Sequence, residues 1–239
     1  MKITVINGTE KHGVTYRLKE IFLEQFREKS DIREFYLPKD CPAFCSGCAN
    51  CVIKGEHICK DAEYIKKITS SLLESDLIVM TSPVYVMHAT GSMKALLDHL
   101  AYLWMPHRPA PEMFTKRAVI ITQCLGAGAK SAAKDIKHSL SWWGISRITV
   151  FTGKLMGDIV WEGLSEKKRL ELTKKINHLS DRFFHINYEK PSRVNAITRI
   201  KFLFCRKLQK ALHESDPDYL DGKYWAKMGW LGKARPWRA

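Results

Sequence analysis

Apolar positions along the chain alternate between two rhythms. Lys2-Ile3-Thr4-Val5-Ile6-Asn7 is a short, nearly continuous run of β-branched residues, which suits a parallel strand covered on both faces. Val14, Leu18, Phe22 and Phe26 then recur every four residues, the signature of one buried helix face. The pairing repeats. Strands are predicted at Ile32–Leu37, ending at Pro38, at Asp76–Ser82, at Arg117–Gln123 and at Arg147–Phe151. Helices are predicted from Asp61, placed as a cap, to Leu73, from Gly91 to Trp104, up to Trp143, and after Ser165. Five strands alternating with helices predict an α/β fold with a doubly wound parallel sheet. From Pro191 the pattern changes to one long stripe, Val194, Ile197, Ile200, Phe204, Leu208 and Leu212, followed by an aromatic-rich end from Tyr224 to Trp237. This implies a main domain over residues 1–188, a cysteine-rich insertion at 41–59 and a helical extension at 189–239. The extension is expected to pack on the domain or on a second subunit.

Composition adds limits. At 239 residues the chain can bury one sizeable core, and 45% hydrophobic with 27% charged residues fits a globular protein. No apolar run reaches about 18 residues, so no transmembrane segment is predicted. The sequence enters its first strand within two residues, leaving no room there for a signal peptide, and a cytoplasmic location is expected. In a reducing compartment the seven cysteines point to metal or redox chemistry more than to disulfides. The net charge is +14, and residues 190–239 hold twelve Lys or Arg against four acidic residues. Such a tail can touch nucleic acid or an anionic membrane surface, but a solvated face is the favoured reading.

The chemistry concentrates in turns. Gly8-Thr9-Glu10-Lys11-His12-Gly13-Val14-Thr15 joins the first strand to the first helix. Free N–H groups and the positive helix end meet there, and the Thr9 and Thr15 hydroxyls and the Lys11 ammonium can join them around an anion. The spacing matches neither the nucleoside triphosphate nor the dinucleotide glycine motif, so a single phosphate on a small ligand fits better, with an ordinary turn in which Thr9 or Thr15 only caps the helix as the other reading. In a doubly wound sheet this turn should meet those after strands three and four. These are Pro83-Val84-Tyr85 and the segment from Gln123 and Cys124 through Gly126 to Gly128. Separately, Cys45, Cys48 and Cys51 stand at C-x2-C-x2-C, with Cys59 after a gap of seven residues and Cys41 as another fourth thiol. The spacing suits a [4Fe-4S] cluster more than zinc. A zinc site, a cycling thiol pair and a metal-free loop remain open. Cys124 and Cys205 also read as ordinary buried thiols.

Taken together, the Asn7–Thr15 loop, the four-cysteine spacing followed by Asp61, Ser82–Tyr85 with Gly91–Lys94 and Asp98, and Gly126–Gly128 carry a resemblance. The chain resembles the flavodoxin-like NAD(P)H-dependent FMN reductase family, including its iron-sulfur flavoprotein branch, over residues 1–155. The resemblance implies FMN, its phosphate on Thr9, Lys11, Gly13, Val14 and Thr15, and its ring between Pro83, Val84, Tyr85 and the Gln123–Gly128 turn. It also implies NAD(P)H as electron donor, a small-molecule or carrier acceptor, and a homodimer. Where family members often carry Ser-Pro-Arg, this chain has Thr9-Glu10-Lys11. Tyr85, His88, His107 and Arg108 are candidates for ring or substrate contacts, with packing as the plainer role for the histidines. The alternatives are an FMN and iron-sulfur electron-transfer protein without a dedicated substrate, and a basic nucleic-acid-binding or regulatory protein on the same fold.

Overall fold

The computed structural model describes residues 1–155 and 160–238. Strands β1 (Lys2–Asn7), β2 (Asp31–Tyr36), β3 (Leu77–Pro83), β4 (Arg117–Leu125) and β5 (Arg147–Leu155) form one parallel sheet in the order β2-β1-β3-β4-β5. The helices are α1 (Val14–Leu23), α2 (Asn50–Ile53), α3 (Ala62–Glu74), α4 (Gly91–His99), α5 (Ala129–Trp142), α6 (Glu166–Phe184), α7 (Ala196–Ser215) and α8 (Leu220–Lys227). This is the flavodoxin-like α/β architecture. The chain leaves β1 for β2 on one side and returns to β3 on the other, so the switch point lies between β1 and β3.

Residues of the sheet alternate between two cores. Ile3, Val5, Leu77, Val79, Val119 and Ile121 face α1 and α6, while Ile6, Ile78, Met80, Ala118 and Ile120 face α3, α4 and α5. Two apolar faces explain the continuous hydrophobic runs of the central strands. A third cluster lies apart, where Phe202 and Cys205 of α7 meet Trp225, Trp230, Met105 and Phe114. Among the described residues, no helix is long and apolar enough to cross a membrane.

Two local expectations change. The helix predicted from Gly91 to Trp104 stops at His99 and continues as a short tight turn over Ala101–Leu103. Asp61 stands at the start of α3 but makes no capping hydrogen bond. Its carboxylate lies 3.3 Å from Lys60 Nζ and 3.8 Å from His99 Nε2 instead.

Lys19 of α1 is wholly buried between Glu20 and Glu34, with its ammonium 2.6 Å from Glu34 Oε2 and 4.2 Å from the Tyr16 ring centre. Burial pulls the Lys19 pKa down, but the bonds to Glu20 and Glu34 outweigh it and leave the group above its ordinary value. Burial pushes Glu34 up, and Lys19, Tyr36 and Asn7 hold it below. The Glu34 contribution to stability is therefore present above its unfolded pKa and lost as pH falls through the folded one. The Lys19 contribution is lost only when pH rises through its raised value. Lys19→Met should cost about 3 kcal/mol at neutral pH, because Glu34 keeps only Tyr36 and Asn7. Urea unfolding should show that cost shrinking as pH drops below about 4.

Candidate functional site

The turns after β1, β3 and β4 are tied together mainly through backbone groups. Asn7, at the end of β1, donates to Glu34 Oε2 and Phe35 O, each at 3.2 Å, and accepts from Thr81 Oγ1 at 3.4 Å. Gly8 N–H donates to Thr81 O at 2.8 Å, and Thr90 Oγ1 donates to Gly8 O at 2.6 Å. A Cβ on Gly8 would sit 2.8 Å from Thr81 O, so no larger residue fits without a backbone shift. Thr90 also caps α4 by accepting from Met93 N, and its own N–H donates to Ser82 Oγ at 3.1 Å. Val84 N–H donates to Gln123 O at 2.9 Å, joining the β3 turn to β4. Gly128 lies at φ +96°, where a Cβ would come 2.6 Å from Val84 Cγ1 and 3.0 Å from Met87 Cα.

One corner of this junction is equipped for an anion. Helix α1 starts after Gly13 with no side-chain cap and no acidic residue in its first turn. Its first N–H groups are therefore left to a ligand. Thr15 is buried, yet its Oγ1 has no hydrogen-bond partner. A buried hydroxyl without a partner costs about 1–3 kcal/mol, and a phosphate oxygen beside it would remove that cost. Thr9 Oγ1 accepts from Lys11 N at 3.2 Å and shapes the loop. Val14 packs its side chain into the core, so only its main chain is available here.

The opposite corner is apolar. Tyr85 and His88 exchange two backbone hydrogen bonds of 3.0 Å, closing a turn with Val86 at φ 46° and Met87 at φ 69°. Both values are left-handed, and a β-branched residue there is strained. Val86 is 94% exposed at the tip. Asp135 Oδ2 secures the base of the turn by accepting from Ala89 N at 3.1 Å and pairing with His88 Nδ1 at 3.0 Å. Beside it opens a mostly apolar cleft of 420 Å³ lined by Met87, Cys124, Gly126, Gly128, Thr152 and Gly153. Pro83 and Val84 are half-buried and Tyr85 is half-exposed along this edge. No sequence signal marks Val86 and Met87, because neither favours the conformation it adopts.

His107 and Arg108 do not reach this junction. Arg108 is buried and bonds Asp221 Oδ1, Cys51 O, Val52 O and Glu56 Oε2, while His107 Nδ1 pairs with Asp221 Oδ2 at 2.8 Å. Asp221 belongs to α8, so the pair fastens the C-terminal extension to the cysteine loop. Its distant partner in sequence hid this role.

In that loop Cys48 is exposed, Cys45, Cys51 and Cys59 are half-buried, and Cys41 is buried in the core. Burial pushes the Cys51 thiol up, as do the charges of Cys45 and Cys59. Cys41 is pushed up to about 11 by burial and by Asp61 and Cys59. Backbone N–H donation from Asn50 and the Ser46 hydroxyl lower Cys48. Cys59, Asp61 and His99 bring one ligand atom each within 4.8 Å of the others. His99 also pairs through Nε2 with Ala43 O at 3.1 Å. Among the described residues, no three of Cys45, Cys48, Cys51 and Cys59 bring their sulfurs within 4.8 Å of one another.

A family model for NADPH-dependent FMN reductases matches residues 1–161. An iron-sulfur flavoprotein from Archaeoglobus fulgidus is 25% identical over 73% of this chain and 77% of its own length. An NADPH azoreductase from a Bacillus species is 26% identical over 69% of this chain and 78% of its own. Among solved structures, an azoreductase from Bacillus anthracis superposes with a TM-score of 0.61 at 16% identity, covering 77% of this chain and all of that one. An FMN-dependent NADH-azoreductase from the same species, solved in complex with FMN, gives a TM-score of 0.58 at 13% identity over 77% of this chain and 99% of its own.

The two β4-turn glycines give a paired test. Gly126→Ala meets open space and carries only the cost of a left-handed φ, about 1 kcal/mol. Gly128→Ala adds a clash with Val84 and Met87 and should cost roughly twice as much or more. Equal losses in thermal unfolding would show that the β3 and β4 turns are not in contact.

Proposed function

The chain belongs to the NADPH-dependent FMN reductase family, and we propose that it passes reducing equivalents from NAD(P)H or a low-potential carrier through bound FMN to an acceptor. The observation that carries this reading is the buried, partnerless Thr15 hydroxyl beside the uncapped start of α1. Thr9, Lys11, Gly13, Val14 and Thr15 would hold the phosphate, by main-chain N–H groups, hydroxyls and one ammonium. Pro83, Val84 and Tyr85 on one side, and Gln123, Cys124, Gly126 and Gly128 on the other, would bound the ring. Gly126, with open space where a Cβ would stand, would let a flat ligand approach the backbone, Gly128 lets the β3 turn close against β4, and the apolar Val86-Met87 tip would shield the ring from water.

The chemistry that FMN supplies when bound is hydride acceptance and electron release in ones or twos. The protein's part is therefore to bind, orient and desolvate, and no side chain needs to act as acid or base. In the same reading Cys45, Cys48, Cys51 and Cys59 would hold a [4Fe-4S] cluster. The Arg108 guanidinium, bonded to the Cys51 and Val52 carbonyls, puts a positive group beside the cysteine loop and supports that reading. Arg108 would offset part of the thiolate charge. A cytoplasmic homodimer, with a flavin domain over residues 1–188 and an extension over 189–239, completes the proposal.

Anaerobic purification with flavin and iron analysis tests it. A brown protein carrying FMN and iron is expected. A colourless chain that leaves FMN fluorescence unchanged on titration would overturn the assignment. Thr15→Val should weaken FMN binding roughly tenfold to a hundredfold, the worth of a hydrogen bond to a charged group. It should leave the flavin-free protein at least as stable, because it deletes an unsatisfied hydroxyl. Cys48→Ala should abolish bound iron while FMN is retained, and full iron content in that variant would refute the ligand set.

A further inference from the structure

Helix α7 carries apolar residues on two separate faces. Thr198, Phe202, Cys205 and Gln209 form the buried one. Phe202 sits in an aromatic cage, with ring centres 5.0 Å from Trp225, 5.2 Å from Trp237, 5.5 Å from Trp230 and 5.8 Å from Phe114. Thr198 pairs with Ser146 Oγ at 2.9 Å and Gln209 donates to Pro106 O at 2.5 Å, while the buried Gln209 Oε1 has no partner. The other face is the stripe that the sequence suggested would be covered. Ile197, Ile200, Leu203, Phe204 and Leu208 are all between 40% and 66% exposed. At a rise of 1.5 Å per residue they form an open apolar band about 17 Å long. Isolated exposed leucines need no explanation, but a contiguous band on one helix does.

We propose that this band docks the protein on an anionic membrane surface, the helix lying in the interface with its apolar face in the acyl boundary. Charge selects that occupant. Arg199, Lys207 and Lys210 are exposed on the same helix, and Arg193 is exposed just before it. Glu214 is its sole acidic residue, 3.9 Å from Lys210. Residues 190–239 carry a net charge of about +8, from twelve basic and four acidic side chains. Lys/Arg beside Ile, Leu and Phe is the composition of an interfacial helix, and each basic residue near an anionic surface adds to its hold. A second copy of this chain would bring the same positive rim against itself across a two-fold axis, which disfavours association. One helix face of this length is also small against the roughly 800 Å² per partner of a stable interface.

The test uses the full chain and sucrose-loaded vesicles of phosphatidylcholine with or without phosphatidylglycerol. Sedimentation with the anionic vesicles is expected, with much weaker binding to phosphatidylcholine alone and partial loss in high salt. The double variant Ile200→Asp/Phe204→Asp alters only exposed side chains, so its circular dichroism and flavin content should match those of the wild type. Its vesicle binding should fall roughly tenfold or more, since two large apolar groups no longer enter the interface. Lys207→Glu/Lys210→Glu should lose the preference for phosphatidylglycerol. No binding to anionic vesicles overturns the proposal, as does undiminished binding of the Asp variant. Absent vesicle binding together with dissociation of a dimer by the Asp variant, seen in sedimentation velocity, would assign the band to a second copy. A salt-sensitive affinity for duplex DNA without vesicle binding would assign the charge to nucleic acid.

Discussion

Close approach of backbone to backbone at the carboxyl ends of β1, β3 and β4 is the constraint on which the rest of the site depends. Gly8 donates to Thr81 O and accepts from Thr90, Val84 donates to Gln123 O, and Gly128 lies against Val84 and Met87. Each contact tolerates no larger residue at the two glycines or uses a main-chain group. The three turns are thereby held without spending the Thr15 hydroxyl or the first N–H groups of α1. An anion site needs donors that have no partner inside the protein, and this arrangement leaves them.

A second linkage runs away from the sheet. Arg108 joins the cysteine loop, through the Cys51 and Val52 carbonyls, to Asp221 of α8, which His107 and Tyr219 also engage. Asp221 is fully buried, and a buried carboxylate is tolerable only when its partners surround it. The extension is therefore anchored at two places, by this polar knot and by the Phe202 and tryptophan cage. The knot ties the fold of the C-terminal helices to the conformation of the cysteine loop.

The same anchoring explains why α7 keeps an open apolar band. The tryptophans of the last residues claim the Phe202 face, and the helix cannot turn its second stripe inward without breaking the bonds of Thr198 and Gln209. The exposed band is thus a consequence of the aromatic cage that holds the opposite face.

Much of this was written in the sequence itself. The alternation of β-branched runs with helical stripes sets the sheet, its central strands and the cores on both faces, because periodicity is local and burial rewards it directly. The glycines and threonines of the first turn, and the cysteine spacing, are legible as candidates in the same local way. What only the tertiary structure decided depends on groups far apart in the chain. Asp61 turned its carboxylate to His99 and Lys60 instead of capping α3, His107 and Arg108 proved to be anchors for Asp221, Val86 and Met87 took a left-handed turn, and α7 buried Phe202 instead of Phe204. A helix bearing two apolar stripes presents equal claims to burial. Which of them wins is settled by the partner that arrives, here an aromatic tail some twenty to thirty-five residues further along.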